Sequence, residues 1–250
     1  MRQILALHPS LAHGGAFAGL GLQGLTAPDM IGHGQARDWD GQGDLHSLCT
    51  RNAIDLAAKM ASTSGPIDLI GDSFGGTVAL RIALERPELL RSIVLIEPVL
   101  FAAARADEAP EYRDFVAQHL AFEVMMRAGD LRGAAQHFQS IWGDGRDFND
   151  APKSVQRYIM DRLHLILAQT DALHHDSAGI MGYLRLEAVG LPVLLICGTD
   201  SPPIVAAIAR ALASRLPNLT QVTIQGAQHM APITHPKQVA AAMTAFWAQN

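Results

Sequence analysis

The chain has little cysteine, few aromatic residues and no concentration of positive charge. Two cysteines, Cys49 and Cys197, stand far apart in 250 residues. That excludes a disulfide-stapled secreted framework and makes a reduced, cytoplasmic setting the simplest expectation. Cys197 ends an apolar run and reads as a small buried hydrophobe. The formal net charge is -5 and no Lys/Arg cluster occurs, so neither nucleic acid nor an anionic membrane surface is an expected partner. No apolar run reaches the length of a membrane span. The opening stretch Met1–His8 lacks the small-residue pattern of a cleavage site, so no signal peptide is expected. There is no internal repeat and no low-complexity tract. What the chain does have is apolar material: 49% hydrophobic against 17% charged residues, enough for a buried core and unlike a disordered chain.

Short apolar runs alternate with longer helical patterns, the sign of a parallel sheet with crossover helices. The runs are Ile4–Leu7, Ile67–Ile70, Ser92–Ile96, Val193–Cys197 and Gln221–Ile224, with Leu25–Ile31 a weaker candidate. Such strands are continuously apolar because both faces of the sheet are covered. Helices are expected over Leu45–Met60, Gly75–Leu84, Pro203–Leu216 and Pro236–Ala248. The last two begin with a proline in the first turn, where its missing N–H is not needed. From about Phe101 to Glu187 no strand signal appears, only helical stretches around Tyr112–Ala128, Leu131–Ile141 and Val155–Gln169. This is too long for an ordinary crossover. It begins just after a strand's C-terminal end, where open α/β sheets bind ligands, so it reads as a lid. The expected division is therefore a core of residues 1–100 and 188–250 with a helical lid at 101–187.

One motif carries chemistry. Ile67–Thr77 reads as strand, tight turn and helix start, with Gly71-Asp72-Ser73-Phe74-Gly75 at its centre. A serine at such a turn presents its hydroxyl at the tip of the sheet in a strained conformation. Chain passes close on both sides, so the positions two before and two after must be small, and both are glycine. The helix that follows aims its N-terminus at the reaction centre, and the Phe74 N–H can donate to a developing oxyanion. A phosphate-cradling loop needs a lysine after its last glycine, whereas Thr77 follows Gly76.

A hydroxyl nucleophile needs a base. His229, in the loop Gln225–Pro232 after the last expected strand, can swing over Ser73. His235 is the nearest rival, but it directly precedes Pro236 and reads as helix entry. His174, His175 and Asp176 resemble a metal cluster only superficially, because adjacent residues on a helix do not share a face; a solvated surface is expected there. Gly19–Gly24 matches a dinucleotide-binding string, yet the preceding strand ends too far upstream and Pro28 cuts short any following helix.

These residues resemble the α/β-hydrolase family over nearly the whole chain outside the lid. Besides Ser73 and His229, Leu7-His8-Pro9-Ser10 is similar to the family's strand-end His-Gly segment, and Pro28–Gly34 to its Asp-x-x-Gly-His-Gly loop. The resemblance implies a mostly parallel sheet of about six strands flanked by helices, the family's first two strands being absent. Pro9 stands where the family has glycine and offers no N–H, so the second oxyanion donor should be the Ser10 N–H, with its hydroxyl as an additional donor. The family's usual acid position is held by Ser201, and Asp200 lies one residue early. An alternative acid position, after the strand that follows the nucleophile helix, holds Glu97. Either carboxylate could orient His229; Glu97 is preferred because a one-residue shift turns Asp200 aside.

The resemblance implies a serine hydrolase working through an acyl-enzyme, on a small to medium, fairly apolar ester, without metal or organic cofactor. The same residues would serve carbon–carbon bond or lactone hydrolysis, and a receptor with little turnover is the reading from another class. His8 and Trp142 are expected to touch the small-molecule substrate. A homodimer is compatible with the sequence.

Overall fold

The computed structural model describes residues 2–250. Six strands, β1 (Ile4–Leu7), β2 (Leu25–Thr26), β3 (Ile67–Asp72), β4 (Leu90–Ile96), β5 (Val193–Gly198) and β6 (Leu219–Ile224), form one sheet in the order β2-β1-β3-β4-β5-β6. Every neighbouring pair is parallel. The helices are α1 (Leu45–Ser64), α2 (Phe74–Glu85), α3 (Phe101–Ala106), α4 (Pro110–Arg127), α5 (Leu131–Trp142), α6 (Lys153–Met160), α7 (His164–Ala168), α8 (Thr170–His175), α9 (Pro203–Ala213), α10 (Ala231–Thr234) and α11 (Pro236–Trp247). Among the described residues no helix is long and apolar enough to cross a membrane.

The apolar strands are explained by what lies on either side of them. Leu5, Leu7, Ile93, Leu95, Val193 and Leu195 pack with residues of α1, α2 and α9. Their strand neighbours Ile4, Ala6, Val94, Ile96, Leu194 and Ile196 pack with α11 on the opposite face. Alternate side chains point to opposite faces of a strand, so both sets must be apolar when both faces are covered. A third cluster is formed mostly by the helical segment between β4 and β5.

Two expected elements differ. The strand expected over Leu25–Ile31 shrinks to the two residues of β2. Pro28 offers no ladder donor, and Asp29 folds the next residues into a loop by accepting the N–H groups of Gly14 and Gln35 at 2.8 and 2.7 Å. The helix expected over Val155–Gln169 is broken into α6 and α7. Ile159, Leu163 and Ile166 bury in the third cluster while Leu165 buries in the main core, and one straight helix cannot serve both.

Candidate active site

The turn after β3 is built under strain. Ser73 has φ 55° and ψ -114°, a conformation that costs a non-glycine residue on the order of 1–3 kcal/mol. Its N–H donates to Ile96 O at 2.8 Å, and its carbonyl accepts from Gly76 N at 3.0 Å. A Cβ at Gly75 would overlap the Leu7 carbonyl oxygen, and one at Gly71 would overlap the Gly75 carbonyl oxygen. The glycines are therefore required by backbone approaching backbone. As the first residue of α2, Phe74 has an N–H without an intrahelical acceptor.

His229 joins two groups that the sequence keeps far apart. Its Nε2 lies 2.9 Å from Ser73 Oγ and its Nδ1 lies 2.7 Å from Glu97 Oε2. A carboxylate only accepts, so Nδ1 carries the proton and Nε2 is left to accept the serine O–H. All three side chains are buried. Glu97 follows β4 with φ 42°, which turns it across the tip of the sheet. Its other oxygen, Oε1, accepts from Gly198 N at 2.6 Å and from Ser201 Oγ at 2.5 Å. Ser201, at the family's usual acid position, thus holds the carboxylate that meets His229. Sequence reasoning noted Ser201 but did not foresee this contact.

Asp200 is not brought to His229. It is exposed, and its Oδ1 accepts from Thr199 Oγ1 at 2.9 Å. Its N–H donates to Ala227 O at 3.0 Å, which fixes the backbone where the side chain faces outward.

A cavity of about 140 Å³ opens beside Ser73 and His229, with Trp142, Phe101, Phe115 and Gln169 in its wall. Trp142 meets the His229 ring edge-on at 4.7 Å in the cavity wall. His8 does not reach that wall. It is fully buried away from the cavity wall, its Nδ1–H donating to Pro9 O at 2.8 Å and its Nε2 accepting from Met30 N at 2.9 Å. Burial pushes its imidazole down to about 4, so it is a neutral cross-link between two loops. The Ser10 hydroxyl is also committed elsewhere, donating to Gln169 Oε1 at 2.7 Å. That leaves the Ser10 N–H, for which no acceptor occurs among the described residues.

His174 departs from the expected solvated surface. It is buried in the cavity wall against Phe101 and His119, and burial with the neighbouring rings pushes it down to about 3. Only its neighbour His175 remains exposed. Burial pushes both cysteine thiols up to about 12, so neither is a reactive thiol. Among the described residues no three His, Cys, Asp or Glu side chains converge as a metal site.

The comparisons agree with this architecture. The model of the alpha/beta hydrolase fold family matches residues 23–236. The (E)-2-((N-methylformamido)methylene)succinate hydrolase of Acinetobacter baylyi is 24% identical over 226 residues, 87% of this chain and 78% of that protein. A pimeloyl-[acyl-carrier protein] methyl ester esterase of Xanthomonas campestris is 27% identical over 257 residues, 97% of this chain and 94% of that one. Some other curated relatives are matched over less than two thirds of their own length. Among solved structures, a hydrolase from Pseudomonas aeruginosa superposes with a TM-score of 0.71 at 19% identity, covering 98% of this chain and 90% of that one.

Proposed function

The chain belongs to the alpha/beta hydrolase fold family, and from that premise we propose that it is an ester hydrolase with Ser73 as nucleophile. The observation that carries the reading is the continuous relay Ser73 Oγ–His229–Glu97, with contacts of 2.9 and 2.7 Å. His229 takes the serine proton as Oγ attacks the ester carbonyl, and Glu97 stabilises the imidazolium that results. The N–H groups of Phe74 and Ser10 receive the oxyanion. His229 then protonates the leaving alcohol, and water attacks the acyl-enzyme with the same base.

The cavity supports a neutral, largely apolar substrate of modest size. About 140 Å³ is less than the usual volume of a drug-sized pocket, which favours a short acyl group. No lysine or arginine lines it, and burial lowers the pKa of His174 and His119 there. A dicarboxylate of the kind in the Acinetobacter baylyi relative's name would find no permanent cation in this wall. The esterase name of the Xanthomonas campestris relative supports the ester class.

The test uses p-nitrophenyl butyrate and a fluorophosphonate label. Ser73→Ala should lower turnover by about 10⁴-fold or more and abolish labelling, with the melting temperature little changed, since alanine keeps the Cβ and the same backbone strain. Substantial esterase turnover in Ser73→Ala would sink the proposal.

A further inference from the structure

The third hydrophobic cluster contains one residue foreign to it. Phe122, Ala134, Ala135, Phe148, Ile159, Leu163 and Ile166 all come from the helical segment between β4 and β5, and the remaining buried member is Leu11, from the loop after β1. Leu11 holds φ 59°, a left-handed conformation that a branched side chain adopts only when its surroundings impose it. The residues on either side are held by the same segment. The Ser10 hydroxyl donates to Gln169 Oε1 at 2.7 Å, and Ala12 O accepts from the Tyr158 hydroxyl at 2.9 Å. Tyr158 itself accepts from Gly34 N at 2.9 Å, and Arg162 donates to Gly32 O at 3.0 Å.

What the core contributes to the loop stops at Pro9. Ala12 N reaches Pro9 O at 3.3 Å, and among the described residues no hydrogen bond joins Ser10, Leu11 or Ala12 to the sheet. Three consecutive residues are thus each fixed by a different side-chain contact with the helical segment: a hydrogen bond, an apolar plug and a second hydrogen bond.

We propose that Gln169, Tyr158 and the cluster around Leu11 are the positioning elements of the oxyanion loop, so that the helical segment sets the Ser10 N–H as well as the cavity wall. This rests on the esterase reading, in which Ser10 N–H is the second oxyanion donor. Loosening the segment therefore weakens transition-state binding more than substrate binding.

The experiment measures p-nitrophenyl butyrate kinetics together with inhibition by an alkyl trifluoromethyl ketone, whose hemiketal oxygen occupies the oxyanion position. Full loss of one oxyanion donor costs roughly 10²–10³-fold in kcat. Displacement of the donor in Gln169→Leu should cost about 10-fold or more, with KM within about threefold and the ketone's inhibition constant rising in proportion to the loss in kcat. Tyr158→Phe keeps the ring and loses only the hydroxyl, so it guards against misfolding of the first variant; the same pattern is expected in smaller degree. Ser10→Ala should match Gln169→Leu, and the double variant should be no worse than either alone, because both remove one tether. If Gln169→Leu and Tyr158→Phe both keep kcat and ketone affinity within twofold, the proposal is wrong. It is equally wrong if Ser10→Ala is damaging while Gln169→Leu is harmless, since the hydroxyl would then act by itself. Failure of the esterase reading is separate: the wild-type protein would show no Ser73-dependent turnover or labelling.

Discussion

β3 carries an aspartate near each end, and the two ends treat the same side chain in opposite ways. Asp68, at the end remote from the cavity, is fully buried yet accepts from Arg2 at 3.0 Å, Arg91 at 2.8 Å and Ser92 at 2.7 Å. Asp72, just before the strained serine, is equally buried, and neither of its oxygens has a partner among the described residues. Burial, reinforced by the neighbouring Glu97 carboxylate, pushes its pKa well above the usual carboxylate range. The contrast extends beyond these side chains. Ser73, Glu97 and Leu11 hold positive φ at the cavity end, whereas Asp68 and its partners form a closed, satisfied network. One end of the strand stabilises the sheet; the other holds tension that the stabilised sheet sustains.

The sharpest way to test this contrast is to neutralise a carboxylate at each end. In the proposed relay, Glu97→Gln removes the charge that orients His229 and stabilises its protonated form. It should lower kcat by about 10³–10⁴-fold, equivalent to roughly 4–5.5 kcal/mol of barrier, with little change in unfolding midpoint. Asp200→Asn, one residue from the usual acid position but turned to solvent, should leave kcat within about twofold. A large loss in Asp200→Asn with a small one in Glu97→Gln would reverse the assignment of the acid.

Asp68→Asn should do the opposite. Breaking a buried ion pair commonly costs 3–5 kcal/mol. Here Arg2 and Arg91 are 30% and 33% exposed and can turn to water, so about 2–3 kcal/mol is the expected loss in urea unfolding. Activity per folded molecule should stay within about twofold. If Asp68→Asn lowered kcat as much as stability, the two ends of the strand would not be separable.

The division between the ends also marks what could be read from the sequence. Strands buried on both faces announce themselves as apolar runs, and β1, β3, β4 and β5 were legible for that reason. The turn at Ser73 was legible because close backbone approach demands glycine at two fixed positions. Contacts made by side chains from distant parts of the chain left no local pattern. The hydrogen bond from Ser201 to Glu97 joins residues 104 apart, and that from Ser10 to Gln169 joins residues 159 apart. His174 misled for a related reason: polarity and adjacency suggested a surface, while the packing of α8 against α3 buries one of two neighbouring histidines. His8 misled by position: it stands at the end of β1 next to the oxyanion loop but is turned to serve Met30 N.

The smallest expected effect is the one that isolates Asp72. Its raised pKa means that the folded chain keeps a proton across a pH range in which an unfolded aspartate, with a pKa of about 3.9, has lost it. The slope of unfolding free energy with pH has the sign of protons bound unfolded minus folded. Here it is negative, so this group's contribution to stability is full below about pH 3.9 and is lost as pH rises through the folded value. Asp72→Asn keeps the shape of the protonated acid and removes the titration. The variant should match the wild-type protein near pH 4 and become more stable by on the order of 1 kcal/mol toward neutral pH, as read by urea unfolding at several pH values. Glu97 faces the same space and raises the Asp72 value further, so the gain should shrink when Asp72→Asn is made in a Glu97→Gln background. A stability difference that does not change with pH would mean that Asp72 is ionised and solvated in the folded chain. The two ends of β3 would then differ in partners but not in the cost each one carries.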